Sequence, residues 1–250
     1  RLAEIGEKHK IDSIVHLAVP AINALSAADD FNVNMSGLIN ILEAGRTWGV
    51  KRIGLASSLA VYAGAPAPHT EDKPLRIFGG SATETWKKTY EIIGAYYEGR
   101  TGVEVVSLRI AGIYGPLYHS MSNLPSRLVH AAVKGTTPEL RGATYEEDGG
   151  DMTYVKDCGK GIAMLTVAES LPNRVYNIGG GRAVQNKELV GAIKSVIPDA
   201  KLELTPGANP QGRPPVAMDI TRIQKDVGFE PDFPLEKAIP DYIDWLRAGN

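Results

Sequence analysis

The residues whose types and spacing could do chemistry lie between Arg52 and Pro116. Ser57 and Ser58 close one apolar run, Lys87 sits in a helix-forming stretch further on, and a second apolar run ends in Leu108-Arg109-Ile110-Ala111-Gly112-Ile113-Tyr114-Gly115-Pro116. Short apolar runs bounded by turn residues read as buried strands of a parallel sheet. The three pieces therefore make a βαβ unit, with hydroxyl and amine groups collecting where its strands end. In open α/β sheets ligands bind in the crevice beyond the carboxyl ends of the strands. A serine in that position can also do no more than cap the next turn.

The rest of the chain supplies elements to position these groups. Arg1 to Lys10 reads as the end of a helix, Ser13 to Ala18 as a central strand, and Leu25 to Trp48 as a long helix capped by Gly49. Val33, Leu38, Ile41 and Leu42 form the apolar stripe of that helix, with Asn34 on its inner face. His16 reads as a packed core residue. The Pro- and Gly-rich stretch from Ala63 to Ser81 is a surface loop, with His69 in solvent. A helix from about Thr83 to Thr101 and a strand from Glu104 to Ile110 follow. Beyond them, helices are expected near 123–134, 156–169, 186–196, 219–226 and 235–247, and strands near 174–178 and 201–205. Asp219 resembles an N-cap.

Bulk properties narrow the function classes. The 250 residues carry a net charge of −2, with 43% hydrophobic and 22% charged residues. No dense Lys/Arg block supplies the footprint of nucleic-acid binding. No apolar run approaches the roughly 20 residues of a spanning helix. The single cysteine, Cys158, rules out an internal disulfide and reads as a small buried residue, which fits a reducing, cytoplasmic setting. No set of metal ligands is assigned.

Ser57-Ser58-Leu59-Ala60-Val61-Tyr62, the lysine-bearing helix and Leu108 to Pro116 resemble the extended short-chain dehydrogenase/reductases, the NAD-dependent epimerase/dehydratases. The resemblance continues upstream through Ile14-Val15-His16-Leu17-Ala18 and through Asn32-Val33-Asn34 with Gly37 and Asn40. Downstream it runs through Tyr154-Val155-Lys156-Asp157-Cys158, Tyr176 to Gly181 and Val227-Gly228-Phe229-Glu230-Pro231. It implies a Rossmann-like, doubly wound parallel sheet with a smaller C-terminal α/β substrate lobe: residues 1–116 for the nucleotide-binding part and 117–250 mainly for the lobe, interwoven with the first. It implies NAD or NADP as cofactor, a small-molecule substrate, no nucleic-acid or membrane partner, and a homodimer through the helices at about 25–48 and 83–101.

By the same resemblance, Ser58 hydrogen-bonds the substrate oxygen and Lys87 holds the cofactor ribose. Leu17, Ala18, Val19, Asn34, Ser57, Ile110 and Ile113 border the cofactor, while Leu59, Gly112, His119 and Arg213 join Ser58 around the substrate. The chain departs from the family pattern in several places. No Gly-rich turn opens a helix after a first strand, so roughly two βα units are expected ahead of Arg1. The tyrosine expected four residues before Lys87 is Thr83, whose hydroxyl cannot usefully ionise. Tyr90, Glu84, Tyr62, Tyr114, Tyr118 and His119 are other proton carriers near the crevice. Gly112 and Gly150 stand where sugar-nucleotide members usually carry Asn and Arg. The reading is an NAD(P)-dependent oxidoreductase or epimerase acting on a carbonyl or hydroxyl carbon, of a sugar or sugar nucleotide among others. The Thr83 departure also permits a sensor or scaffold that binds NAD(P) without turnover.

Overall fold

The computed structural model describes residues 2–20, 24–77, 79–118, 120–212 and 214–249. Helix α1 (Leu2–Lys8) leads into β1 (Ser13–His16), α2 (Ala27–Trp48), β2 (Arg52–Ser58), a 3-10 turn (Leu59–Tyr62), α3 (Ala82–Thr101) and β3 (Glu104–Ile110). Then come β4 (Gly112–Tyr114), α4 (Leu124–Lys134), β5 (Gly149–Tyr154), α5 (Val155–Val167), β6 (Val175–Ile178), β7 (Ala183–Gln185), α6 (Asn186–Val196), α7 (Thr221–Val227) and α8 (Leu235–Arg247). Among the described residues no helix is long and apolar enough to cross a membrane.

The four strands β1-β2-β3-β6 form a parallel sheet. Alternation of side chains along a strand sorts its two faces. Ile53, Leu55 and Val105 pack with Leu38, Leu42 and Tyr90 of α2 and α3. Ala56, Val106 and Leu108 pack on the opposite face with Cys158 and Leu165 of α5 and Ile223 of α7. Helices therefore cover both faces, the doubly wound arrangement. Gly94 lets α3 lie close, since a Cβ there would stand 2.9 Å from Leu55 Cδ1 and Val105 Cγ1. The smaller sheet β4-β5-β7 rests on α4, α6 and α8, around Leu128, Leu189, Ile239 and Tyr242.

Capping sets where the site helices begin. Ser26 Oγ accepts from Asp29 N, so α2 starts at Ala27, and Ser81 Oγ accepts from Glu84 N, so α3 starts at Ala82. Gly49 closes α2 with φ 64°, the left-handed cap expected of it.

Several expectations need correction. The first strand stops at His16, and Leu17, Ala18 and Val19 run on as exposed chain. Residues 201–205 form no strand; Thr205 makes a single bridge to Tyr145. Val33 is exposed, because the inward stripe of α2 is set by Asn34, Leu38, Leu42 and Gly45. Asp219 lies just outside α7, although its Oδ1 accepts from Thr221 N at 2.8 Å. His69 is half-buried rather than solvated, its ring stacked on Tyr62 at 4.8 Å. Cys158 is buried, and burial followed by the Asp157 charge pushes its thiol up to about 12.

One buried ion pair ties these layers together. By alternation Ser57 of β2 and Arg109 of β3 face α3, and Glu91 of α3 meets both. Arg109 Nη2 and Nε donate to Glu91 Oε2 and Oε1 at 2.7 and 2.9 Å, and Ser57 Oγ donates to Oε1. Arg109 Nη1 also donates to Tyr62 Oη and to the Glu71 carbonyl, and Tyr62 Oη donates to Asn177 Oδ1 of β6. Removing one partner of such a pair leaves a buried charge uncompensated, at a cost of about 3–5 kcal/mol. Urea unfolding of Arg109→Met is therefore expected to show a loss of that order. The double variant Arg109→Met/Glu91→Gln should recover part of it, because no unpaired carboxylate remains.

Candidate active site

Lys87 is the centre of the site. It lies one turn before Glu91 on α3 and its side chain is nine-tenths buried. Its Nζ stands 5.5 Å from the centroid of the Tyr90 ring and makes no hydrogen bond or ion pair with any described residue. Burial alone lowers its pKa to about 8. Thr83, one turn earlier on α3 and half-buried, shares with it a cleft of 430 Å³. The other walls are the chain leaving β1, at Val19 and Pro20, and the first turns of α2, at Ala27, Asp30 and Asn34.

The wall of α2 is fixed by a chain of hydrogen bonds. Trp86 Nε1 donates to Asp30 Oδ2 at 2.6 Å, Asn34 Nδ2 donates to Asp30 Oδ1 at 3.0 Å, and Tyr90 Oη donates to Asn34 Oδ1 at 2.8 Å. Asn34 is thus the brace between α2 and α3. Burial, and then the Asp30 charge, holds the Tyr90 phenol above its ordinary pKa. His16 stacks on Tyr90 with centroids 5.8 Å apart, and its Nε2 is buried without a hydrogen-bond partner. Burial first and Lys87 second lower its pKa, which favours the neutral imidazole.

The sequence-derived residues fall into three groups. Val19, Asn34, Thr83 and Lys87 come together in the cleft just described. Gly112 and Ile113 line a neighbouring cleft of 350 Å³ with Asn123, Asp148, Gly150 and Asp151. The remaining described ones line neither. Ser57 is engaged by Glu91, and Ile110 is buried in the sheet core. Leu59 packs beside Val61 and Tyr62, and Leu17 and Ala18 stand exposed at the strand exit. Ser58 ends β2 and its Oγ accepts from Ala60 N at 3.1 Å, which leaves its own O–H without an acceptor among the described residues. His119 and Arg213 lie outside the described residues.

The other proton carriers read from the sequence are committed elsewhere. Glu84 accepts from Lys88 Nζ and Gly80 N. Tyr62 belongs to the Arg109 network, and Tyr118 Oη bonds Ser122 Oγ. Tyr114 lines a separate cavity of 290 Å³ with Tyr154, Asp157 and Phe233. Asp30 and Trp86 went unread in the sequence. Their signal was spacing, since Asp30 precedes Asn34 by one turn and Trp86 follows Thr83 by three residues. Among the described residues no cluster of His, Cys, Asp and Glu could hold a metal ion.

A family profile described as "NAD dependent epimerase/dehydratase family" matches residues 1–179. The chain belongs to that family. NAD dependence is part of that family's description, as expected. Among curated relatives of this epimerase/dehydratase chain, a UDP-glucuronate 4-epimerase of Thermodesulfobacterium geofontis is 25% identical over 260 residues, spanning 99% of this chain and 76% of the relative. A dTDP-glucose 4,6-dehydratase of Streptomyces griseus is 28% identical over 242 residues, 94% of this chain and 72% of that protein. The crystal structure of a UDP-glucose 4-epimerase with UDP-glucose from Thermotoga maritima has the same fold, with a TM-score of 0.81 at 22% identity, covering 99% of this chain and 81% of that one.

The buried amine has a signature in stability. Its folded pKa of about 8 lies below the ordinary lysine value, so the unfolded chain binds the proton more tightly. Below about pH 8 both states are charged and burial of the ammonium opposes folding in full; from there to about 10.4 stability rises as the folded amine sheds its proton first. Urea unfolding of Lys87→Met is therefore expected to show a stability gain at pH 7 of order 3 kcal/mol. That gain should shrink steadily towards pH 10 when both proteins are compared at each pH.

Proposed function

We propose that this chain carries the nicotinamide-binding and substrate-binding parts of an NAD-dependent oxidoreductase or epimerase that works on a carbinol or carbonyl carbon. The observation that carries the reading is Lys87: a buried amine with no hydrogen-bond or ion-pair partner among the described residues, facing a cleft at the carboxyl edge of a parallel sheet. Such an amine fits a ligand rich in hydroxyl groups. Exposed Val19, just past the end of β1, borders the same opening. Lys87 would hold the nicotinamide ribose, with Asn34 keeping α2 and α3 at the right separation, and with Ile110 and Ile113 backing the ring. When bound, the dinucleotide supplies the hydride acceptor; orientation, exclusion of water and proton handling fall to the chain.

Ser58 is the group that polarises the reacting oxygen, since its O–H is free to donate. Loss of one such donor costs about 10²–10³ in kcat. The substrate in this reading is a sugar or sugar nucleotide, the class named for the relatives above, seated against Gly112, Leu59 and the 350 Å³ cleft. Exposed Phe31, Val33 and Ile39 on α2 and Ile92 and Tyr96 on α3 offer apolar contacts for a homodimer through these two helices.

The test uses the full-length protein. NAD binding by calorimetry, together with NAD-dependent turnover of UDP-glucose or dTDP-glucose, is the expected result, and Ser58→Ala should reduce kcat by about 10²-fold while the protein stays folded. Tight NAD binding with no turnover of any hydroxyl substrate would favour the sensor reading instead. For the dimer, Ile92→Glu should convert the species seen by analytical ultracentrifugation to monomer, and a wild-type monomer would remove that part of the proposal.

A further inference from the structure

The cleft between α2 and α3 holds one hydroxyl and one amine that no other side chain claims. Thr83 Oγ1 and Lys87 Nζ each lack a hydrogen bond or ion pair to any described residue. They stand one helical turn apart, about 6 Å in rise, and both border the same space. The remaining charged and titratable groups around Lys87 are all occupied or neutral. Asp30 of α2 is held by Trp86 and Asn34, and Tyr90 Oη of α3 donates a hydrogen bond to Asn34 Oδ1. Glu84 is paired with Lys88, and Glu91 with Arg109 and Ser57. His16 of β1 stacks on Tyr90 and is pushed towards its neutral form. Among the described residues no carboxylate lies within ion-pair distance of the lysine to keep its proton in place.

We propose that the Lys87 amine is the proton acceptor of this site, reached by the substrate hydroxyl through the Thr83 hydroxyl. The proposal rests on the functional reading above. In the oxidising direction, once Lys87 Nζ has rotated to within hydrogen-bond distance of Thr83 Oγ1, the substrate O–H proton passes to Thr83 Oγ1 while the Thr83 proton passes to Lys87 Nζ, which becomes an ammonium. The C–H bond of the same carbinol carbon breaks, its hydride leaves with the electron pair for the bound nicotinamide, and C–O becomes C=O. In the reducing direction the ammonium returns its proton along the same path. Thr83 ends each step as it began, which suits a hydroxyl with no accessible ionised state. The lysine does what the threonine cannot. Desolvation lowers its pKa to about 8, close to the working range a general base needs.

Competitive acetylation of the full-length protein with trace acetic anhydride, read peptide by peptide by mass spectrometry, titrates Lys87 without any substrate. The expected midpoint is near 8, against the ordinary lysine value of about 10.4. Thr83→Val should leave that midpoint in place. Kinetics with NAD and UDP-glucose then separate roles. Lys87→Arg keeps a cation for the ribose but offers no acceptor, so kcat is expected to fall about 10²–10⁴-fold and to lose its rise with pH through 8, with the NAD Kd little changed. Thr83→Val should lose kcat comparably, and Thr83→Ser should restore most of it. A Lys87 midpoint at 10 or above overturns the proposal, as does a Lys87→Arg enzyme that loses NAD affinity but keeps the wild-type pH profile. Failure to bind NAD strikes the functional reading instead; with NAD bound but UDP-glucose inert, the Lys87 midpoint decides alone.

Discussion

The Arg109–Glu91 pair is the contact on which the architecture of the site depends. It joins the end of β3 to the middle of α3, takes in Ser57 from β2, and reaches through Tyr62 and Asn177 to β6. Because Glu91 lies one turn beyond Lys87, holding the carboxylate against the sheet also fixes the rotation and height of α3, and with them the direction in which the lysine points. A buried ion pair is an inefficient way to gain stability, since desolvation consumes much of the Coulombic return. Here it acts as a register pin. Apolar packing alone would let α3 slide or roll by small amounts over Leu55 and Val105.

Around that pin, the polar groups divide into those that are spent and those that are kept in hand. Asp30, Asn34, Trp86 and Tyr90 satisfy one another along one wall, and Glu84 is taken up by Lys88 and the Gly80 N–H. Thr83, Lys87 and the Ser58 proton are left over. Leaving a buried amine without a partner is costly, and a protein that already contains suitable carboxylates on the same helix could have avoided the cost. The carboxylates are instead directed at Lys88 and Arg109. This is the pattern expected where stability is given up at a site for reactivity.

Much of this was legible in the sequence, for identifiable reasons. The buried strands 52–58 and 104–110 are built on short apolar runs, and α2 and α3 end on glycines, so the βαβ core follows from periodicity and caps. The position of Lys87 was legible from its surroundings in the chain. The short strands β4, β5 and β7 were not, since three to six residues with glycines carry too little pattern. Nor was the fate of Ser57. Two adjacent serines look alike in sequence, but alternation turns Ser57 towards Glu91 while Ser58 starts the following turn. The Asp30–Trp86 bond joins residues far apart in the chain, so spacing could place each on its helix face but not pair them. His69 was misread because a loop rich in Pro and Gly gives no sign that one of its rings will stack on a buried tyrosine.

Strand β6 belongs by sequence to the C-terminal half, yet it pairs with β3 at residues 107–110 and completes the first sheet. Residues 1–116 therefore lack one strand of their own sheet. Cutting the chain after Pro116 would expose the backbone edge of β3 as a template for stray strand pairing, so the severed half would be prone to aggregate. The same long-range pairing makes folding wait on a contact between distant segments, a slow step by its topology. It also limits motion. With β6 hydrogen-bonded to β3, any change in access to the clefts would come from loops and helix ends rather than from a parting of this sheet.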